Sequence, residues 1–293
     1  MLGVSLVSAD DWILRYFASG GAGEISKLNY AKRLFALPIS VLGQAAGQAS
    51  MPFFARLFGE GKRAEFRDSV NQSVYRVGSA ALLASALMLP AALPLVDLAF
   101  RRGHFTVSDS VSTATYFAWF SLSLALWSAQ ALYARAFYAA GDTMTPMVAS
   151  TLIVVASLPV YAALFYRFDV IGLAMASDLG ILLHTVVIAW LLNRKGLVPL
   201  SGLPWSEVGK ALATALIAGG AAYTVSLRVV NVGAWRRDVV SLFVIGLVWL
   251  AVVAAGLWFT RSKLWSDLRR GKPAEVGAEP PAVVQRTEGG AQP

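Results

Sequence analysis

The feature that most restricts this chain is the length of its apolar runs. Predominantly apolar stretches recur at about 29–54, 74–100, 112–138, 145–166, 170–193, 207–230 and 238–260, with a shorter, charge-broken one at 2–18. A helix needs about 20 such residues to cross a bilayer core about 30 Å thick. Lipid offers backbone groups no partner, so only helices and closed barrels can span it. These runs exceed the roughly 9–11 residues of a barrel strand and do not alternate strictly. The expected fold class is therefore all-α integral membrane, about eight transmembrane helices in a bundle. Composition agrees: 57% of residues are hydrophobic and 14% charged, against about 25% charged in soluble domains. Pro38, Pro90, Pro94 and Pro159 fall in or near these runs, where a bundle tolerates kinks. Gly43, Gly47, Gly78, Gly219 and Gly220 are expected to mark close helix packing.

Loop charges orient the chain. Arg56, Lys62, Arg63, Arg67, Arg194, Lys195, Arg261, Lys263, Arg269, Arg270 and Lys272 fall on one side; Lys27, Arg101, Arg102, Arg167, Arg236 and Arg237 fall on the other. The positive-inside bias places the first set, and the C-terminus, in the cytoplasm. The same bias accounts for the net charge of +8 without nucleic acid as a partner, since no basic patch interleaved with aromatics appears. With no cysteine and only His104 and His184, disulfides, thiolate chemistry and a metal site are not expected. No phosphate-cradling loop, zincin pattern or nucleophile elbow is present, so no enzyme and no cofactor is implied. The Pro-, Gly- and Glu-rich tail from about Lys272 lacks the apolar surface to fold.

Polar residues inside the runs are the functional candidates. Asp10, Asp11 and Arg15 lie in the first run, where each would cost about 2.5–3.5 kcal/mol at a helix centre. They require a polar cavity or a partner, and Asp11 and Arg15 are spaced to pair on one face. That run begins almost at Met1, which leaves two readings: an internal methionine of a longer frame, or a half-length form. In the second run Asn29, Arg33, Ser40, Gln44 and Gln48 recur at spacings of four and seven, one stripe of a helix. Such a stripe faces water or another helix, and an arginine at its end suits a phosphate; snorkelling to the interface is the competing role. Arg135 and Asp178 are further cavity or ion-pair candidates, and Asp142, after Gly141, suits a turn or helix cap.

Two motifs carry a resemblance. Asn29-Tyr-Ala-Lys-Arg33-Leu-Phe-Ala-Leu-Pro38, continuing through Gly43, Pro52 and Gly61 to Glu65-Phe66, is one. Arg102-Gly-His-Phe105-Thr followed at Asp109, with Arg135-Ala-Phe-Tyr138-Ala-Ala-Gly-Asp142-Thr-Met-Thr-Pro146, is the other. In order and spacing they resemble the MurJ/MviN family of the multidrug/oligosaccharidyl-lipid/polysaccharide exporter superfamily. The resemblance covers about 1–195 and implies one lobe of a two-lobed exporter fold plus two extra C-terminal helices. The domains would be 1–195 (second-lobe bundle), 196–261 (two added helices) and 262–293 (disordered cytoplasmic tail). It implies a multi-pass protein of the bacterial inner membrane that flips lipid II, the undecaprenyl-linked peptidoglycan precursor, for cell-wall synthesis. Membrane lipid and a missing N-terminal lobe or partner chain are the other implied partners. Arg33 falls on the family's cavity arginine, and Asn29, Lys32, Gln44 and Gln48 stand beside it as substrate-binding candidates. Export of another lipid-linked glycan or drug, or a scaffold role in cell-wall synthesis, are the alternatives.

Overall fold

The structure is a computed structural model that describes Tyr16, residues 23–230 and residues 235–265. The charged run with Asp10, Asp11 and Arg15, and the tail from 266, lie outside these. Among the described residues all regular structure is helical.

The first element starts at Glu24 and runs to Gly59 in three parts. Helix α1 (Glu24–Pro38) passes into a π-helical segment (Ile39–Ala45) and then α2 (Ala46–Gly59). Pro38 has no N–H to donate, which weakens the α ladder where the wide turns begin. The buried seam explains what the π segment achieves. It runs through Leu28, Ala31, Phe35, Gly43, Gly47, Phe54 and Leu57, with Ile39 half-buried between. Steps of four from Phe35 to Gly47 would drift about 40° each around an α-helix. The wider turn absorbs the drift and keeps one face on the core.

Helix α3 (Arg63–Phe100) has 38 residues, about 57 Å at 1.5 Å per residue, so it outruns the bilayer core. It begins eleven residues before the apolar run at 74 because Phe66 and Val70 are buried with Phe54, Leu57, Val198 and Leu203. The expected 112–138 span is two helices, α4 (Val107–Leu122) and α5 (Leu124–Ala139), broken at Ser123. Ser121 and Ser123 donate to the carbonyls of Phe117 and Phe120, diverting backbone acceptors from the ladder. The runs at 145–166 and 170–193 form two helices, the arms of α6 (Met144–Arg194), which meet at a reversal at Asp169 (φ 54°). The arms are antiparallel: Ser150 meets His184 at 3.0 Å, and Lys195 meets Asp142 at 2.6 Å. A Cβ on Gly172 would overlap the Leu164 carbonyl, so the reversal requires glycine there.

Helices α7 (Trp205–Val229) and α8 (Trp235–Phe259) pack on α3. Among the described residues, four helical elements (α3, α6, α7, α8) are long and apolar enough to cross a membrane. Gly43, Gly47 and Gly219 do mark close approaches, but Gly78 and Gly220 face open space. Spacing alone could not tell which side of a helix a neighbour would occupy.

Candidate substrate-facing surface

The π segment decides what the polar stripe faces. With the seam held against the core, Arg33, Ser40, Gln44 and Gln48 are all exposed and Asn29 is half-buried. Leu37 and Val41, 64% and 66% exposed, share the open side. The surface is thus amphipathic, with amides and a guanidinium set among aliphatics. Among the described residues the Arg33 side chain forms no hydrogen bond or ion pair. Such a charge within a membrane-length element must meet water, an anion or another protein surface.

The other candidates divide. Lys32 turns away from Arg33, its ammonium 5.9 Å from the Phe120 ring centroid. Arg135, at the far end of α5, runs its stem past Gly47: a Cβ there would lie 3.5 Å from its Cγ. Its guanidinium sits 5.8 Å from the Tyr138 ring and, among the described residues, forms no ion pair. Arg33 and the Gly47 contact of Arg135 are thus separated by about 20 Å along the α1–α2 element, at about 1.5 Å per residue. Asp178 is half-buried on the second arm of α6, and no ion pair links it to either arginine.

Charged clamps hold this surface in place. Lys27 bridges Glu24 at 2.8 Å and Asp109 at 3.2 Å, and the Tyr116 hydroxyl donates to Glu24 at 2.7 Å. These ties fix α1 against α4. Burial raises the Glu24 pKa, but Lys27 and Tyr116 outweigh it and the net shift is downward. The Thr106 backbone N–H and hydroxyl, then Lys27, bring Asp109 down to about 2. Thr106 and Asp109 form a capping box at the start of α4. At the opposite end Asp142 accepts from the Thr145 backbone N–H at 3.0 Å as well as from Lys195, the capping role expected of it. The motif residues at 106–109 and 142–146 therefore position helices.

The family model described as "Lipid II flippase MurJ" matches residues 1–247. The probable lipid II flippase MurJ of Rhizobium meliloti (strain 1021) is 31% identical over 159 residues, 54% of this chain and 30% of that one. That of Synechocystis sp. (strain ATCC 27184 / PCC 6803 / Kazusa) is 24% identical over 269 residues, 87% of this chain and 50% of the other. A solved structure, "Lipid II flippase MurJ, inward closed conformation", superposes with a TM-score of 0.67 at 16% identity, over 89% of this chain and 52% of that one. That likeness concerns the fold. The chain spans about half or less of the length of these relatives.

Proposed function

The chain belongs to the lipid II flippase MurJ family, and from that premise we propose that it supplies one half of the wall of a path by which a lipid-linked peptidoglycan precursor crosses the bacterial inner membrane. On this reading residues 1–195 are the second lobe, 196–261 two added helices and 262–293 a cytoplasmic tail. A first lobe, on a longer chain or a partner, would complete the path, because alternating access needs two halves rocking against each other. The role is transport, not catalysis.

The observation that carries this reading is the open face of α1–α2. An unpaired guanidinium, two amides and aliphatic side chains stand exposed together along one membrane-length element. A lipid pyrophosphate matches that mixture: phosphate oxygens for Arg33, polar groups for the glutamines, a chain for the aliphatics.

The test is binding of the lipid-linked precursor to the chain in nanodiscs. Loss of a charge-assisted contact worth about 1.5–3 kcal/mol predicts affinity lower by roughly ten- to more than a hundredfold in Arg33→Ala. Arg33→Lys should recover only part, since an ammonium lacks the guanidinium fork. Wild-type affinity in Arg33→Ala would assign the arginine to snorkelling.

A further inference from the structure

Resting on the flippase reading above, we propose that a cleft at the outer end of the bundle holds a pyranose ring of the exported glycan. The cleft has a volume of about 450 Å³ and lies between the start of α1 and the α3–α4 turn. That is within the roughly 300–1,000 Å³ usual for small-molecule sites. Tyr30, Phe100 and Phe105 form its aromatic wall. Tyr30 lies 4.8 Å from Phe100 at a tilt of 37°, and 5.7 Å from Phe105 nearly edge-on at 82°. All three rings keep part of their surface exposed. The α3–α4 turn assembles this wall. Gly103 takes φ 61°, a left-handed conformation that glycine adopts without strain. The Phe105 N–H then donates to the Arg102 carbonyl at 3.2 Å, which brings Phe105 back toward Phe100. Sequence motif Arg102-Gly-His-Phe105 thereby gains a role that the transport reading leaves unused.

The rim supplies polar groups that nothing else engages. Arg102, His104 and Ser26 are exposed, and among the described residues none of their side chains makes a hydrogen bond or ion pair. The Tyr30 hydroxyl likewise has no partner there. Lys27 and Asp109 also line the cleft but are committed to each other. A small inorganic anion would need several converging cationic donors, and only Arg102 remains to offer one. A pyranose fits better. One face of the ring is a patch of C–H groups that can lie on an aromatic wall, and its hydroxyl and amide substituents project sideways to the guanidinium, imidazole and hydroxyls.

The position matters as much as the chemistry. Ser26, Tyr30 and Arg33 follow one another at steps of four and three, so they share a side of α1. The cleft therefore continues the polar face one turn beyond Arg33, on the side that the loop charges place outside the cell. A glycan whose pyrophosphate is held near Arg33 would reach it while leaving the membrane.

The experiment titrates the full chain in lipid nanodiscs with the water-soluble disaccharide N-acetylglucosaminyl-N-acetylmuramic acid, followed by saturation-transfer NMR. Wild type should bind it, and Arg102→Ala and Phe105→Leu should each weaken binding by roughly tenfold or more. Arg102 is exposed at a turn, so its variant tests the cleft even if Phe105→Leu packs poorly. Arg33→Ala should leave disaccharide binding unchanged while weakening the lipid-linked precursor. No binding by wild type, or binding indifferent to both Arg102→Ala and Phe105→Leu, overturns the cleft and leaves the flippase reading intact. Disaccharide binding with the expected variant pattern, but no binding of the lipid-linked precursor, supports the cleft and removes that reading.

Discussion

Two regions of this chain, α1 and α7, treat charge in opposite ways. On α1, Arg33 stands exposed with no partner among the described residues. On α7, Glu207 is 5% exposed and fully engaged. It receives Lys210 at 2.7 Å, the Lys263 backbone N–H at 2.9 Å, the Ser262 hydroxyl at 3.2 Å and, weakly, the Tyr75 hydroxyl at 3.5 Å. One carboxylate thus ties α7 to α3 and to the chain leaving α8. The contrast separates a charge kept for the fold from one kept open. A buried charge must be satisfied within the protein or it destabilises it. A charge left unsatisfied on a membrane-length surface must meet water, an anion or another protein surface.

Breaking each charge in turn is the sharpest way to test that contrast. Glu207→Ala removes the acceptor for four donors and leaves Lys210 beside a void. Breaking a buried, hydrogen-bonded pair costs about 3–5 kcal/mol; with the Lys210 side chain 36% exposed, the lower end applies. Thermal unfolding in detergent should show a large drop in Tm. Arg33→Ala should leave Tm within the range of a change worth about 0.5 kcal/mol. Equal losses from both variants would mean that Arg33 also holds the fold together.

The same division appears in the glycines. Gly256 of α8 faces α7 so closely that a Cβ would stand 2.8 Å from the Thr214 methyl and 3.2 Å from its hydroxyl. Gly219 lies against the Ala86 carbonyl, 3.2 Å from where its Cβ would be, and Pro90 deprives that carbonyl of its usual donor. Gly256→Ala should therefore destabilise by about 1–3 kcal/mol through overpacking. Gly78→Ala, with open space around it, should be stabilising by about 0.5–1 kcal/mol from helix propensity. Denaturation of the two variants side by side checks this, and a neutral Gly256→Ala would show that α7 and α8 separate readily.

These elements also show what the sequence could reveal. Membrane helices are legible because lipid demands long apolar runs whatever the neighbours, and Arg33 is legible because a charge there is costly. The π segment is not announced by any breaker beyond Pro38. Its trace is the run of fours through Phe35, Ile39, Gly43 and Gly47, which becomes readable only once the buried face is known. The break at Ser123 has no glycine or proline to signal it. The cleft was hidden for a different reason: it joins Ser26 and Tyr30 to Phe100 and Phe105 across 70 or more positions, and such pairings follow from packing.

The smallest expected effect concerns the tie between the arms of α6. Asp142 and Lys195 meet at 2.6 Å, with their side chains 22% and 45% exposed. A pair that wet contributes only about 0.2–1 kcal/mol. Burial raises the Asp142 pKa, but Lys195 and Thr145 overcome it and bring it down to about 2. A carboxyl whose folded pKa lies below its unfolded value, about 3.9, adds stability that is complete above pH 4 and disappears as pH falls toward 2. Lys195→Met should therefore lower Tm slightly at pH 7, and the gap from wild type should close between about pH 4 and 2. A gap that stays constant across that window would mean that Lys195 acts through its packed stem, and that the arms are joined by apolar contact rather than by charge.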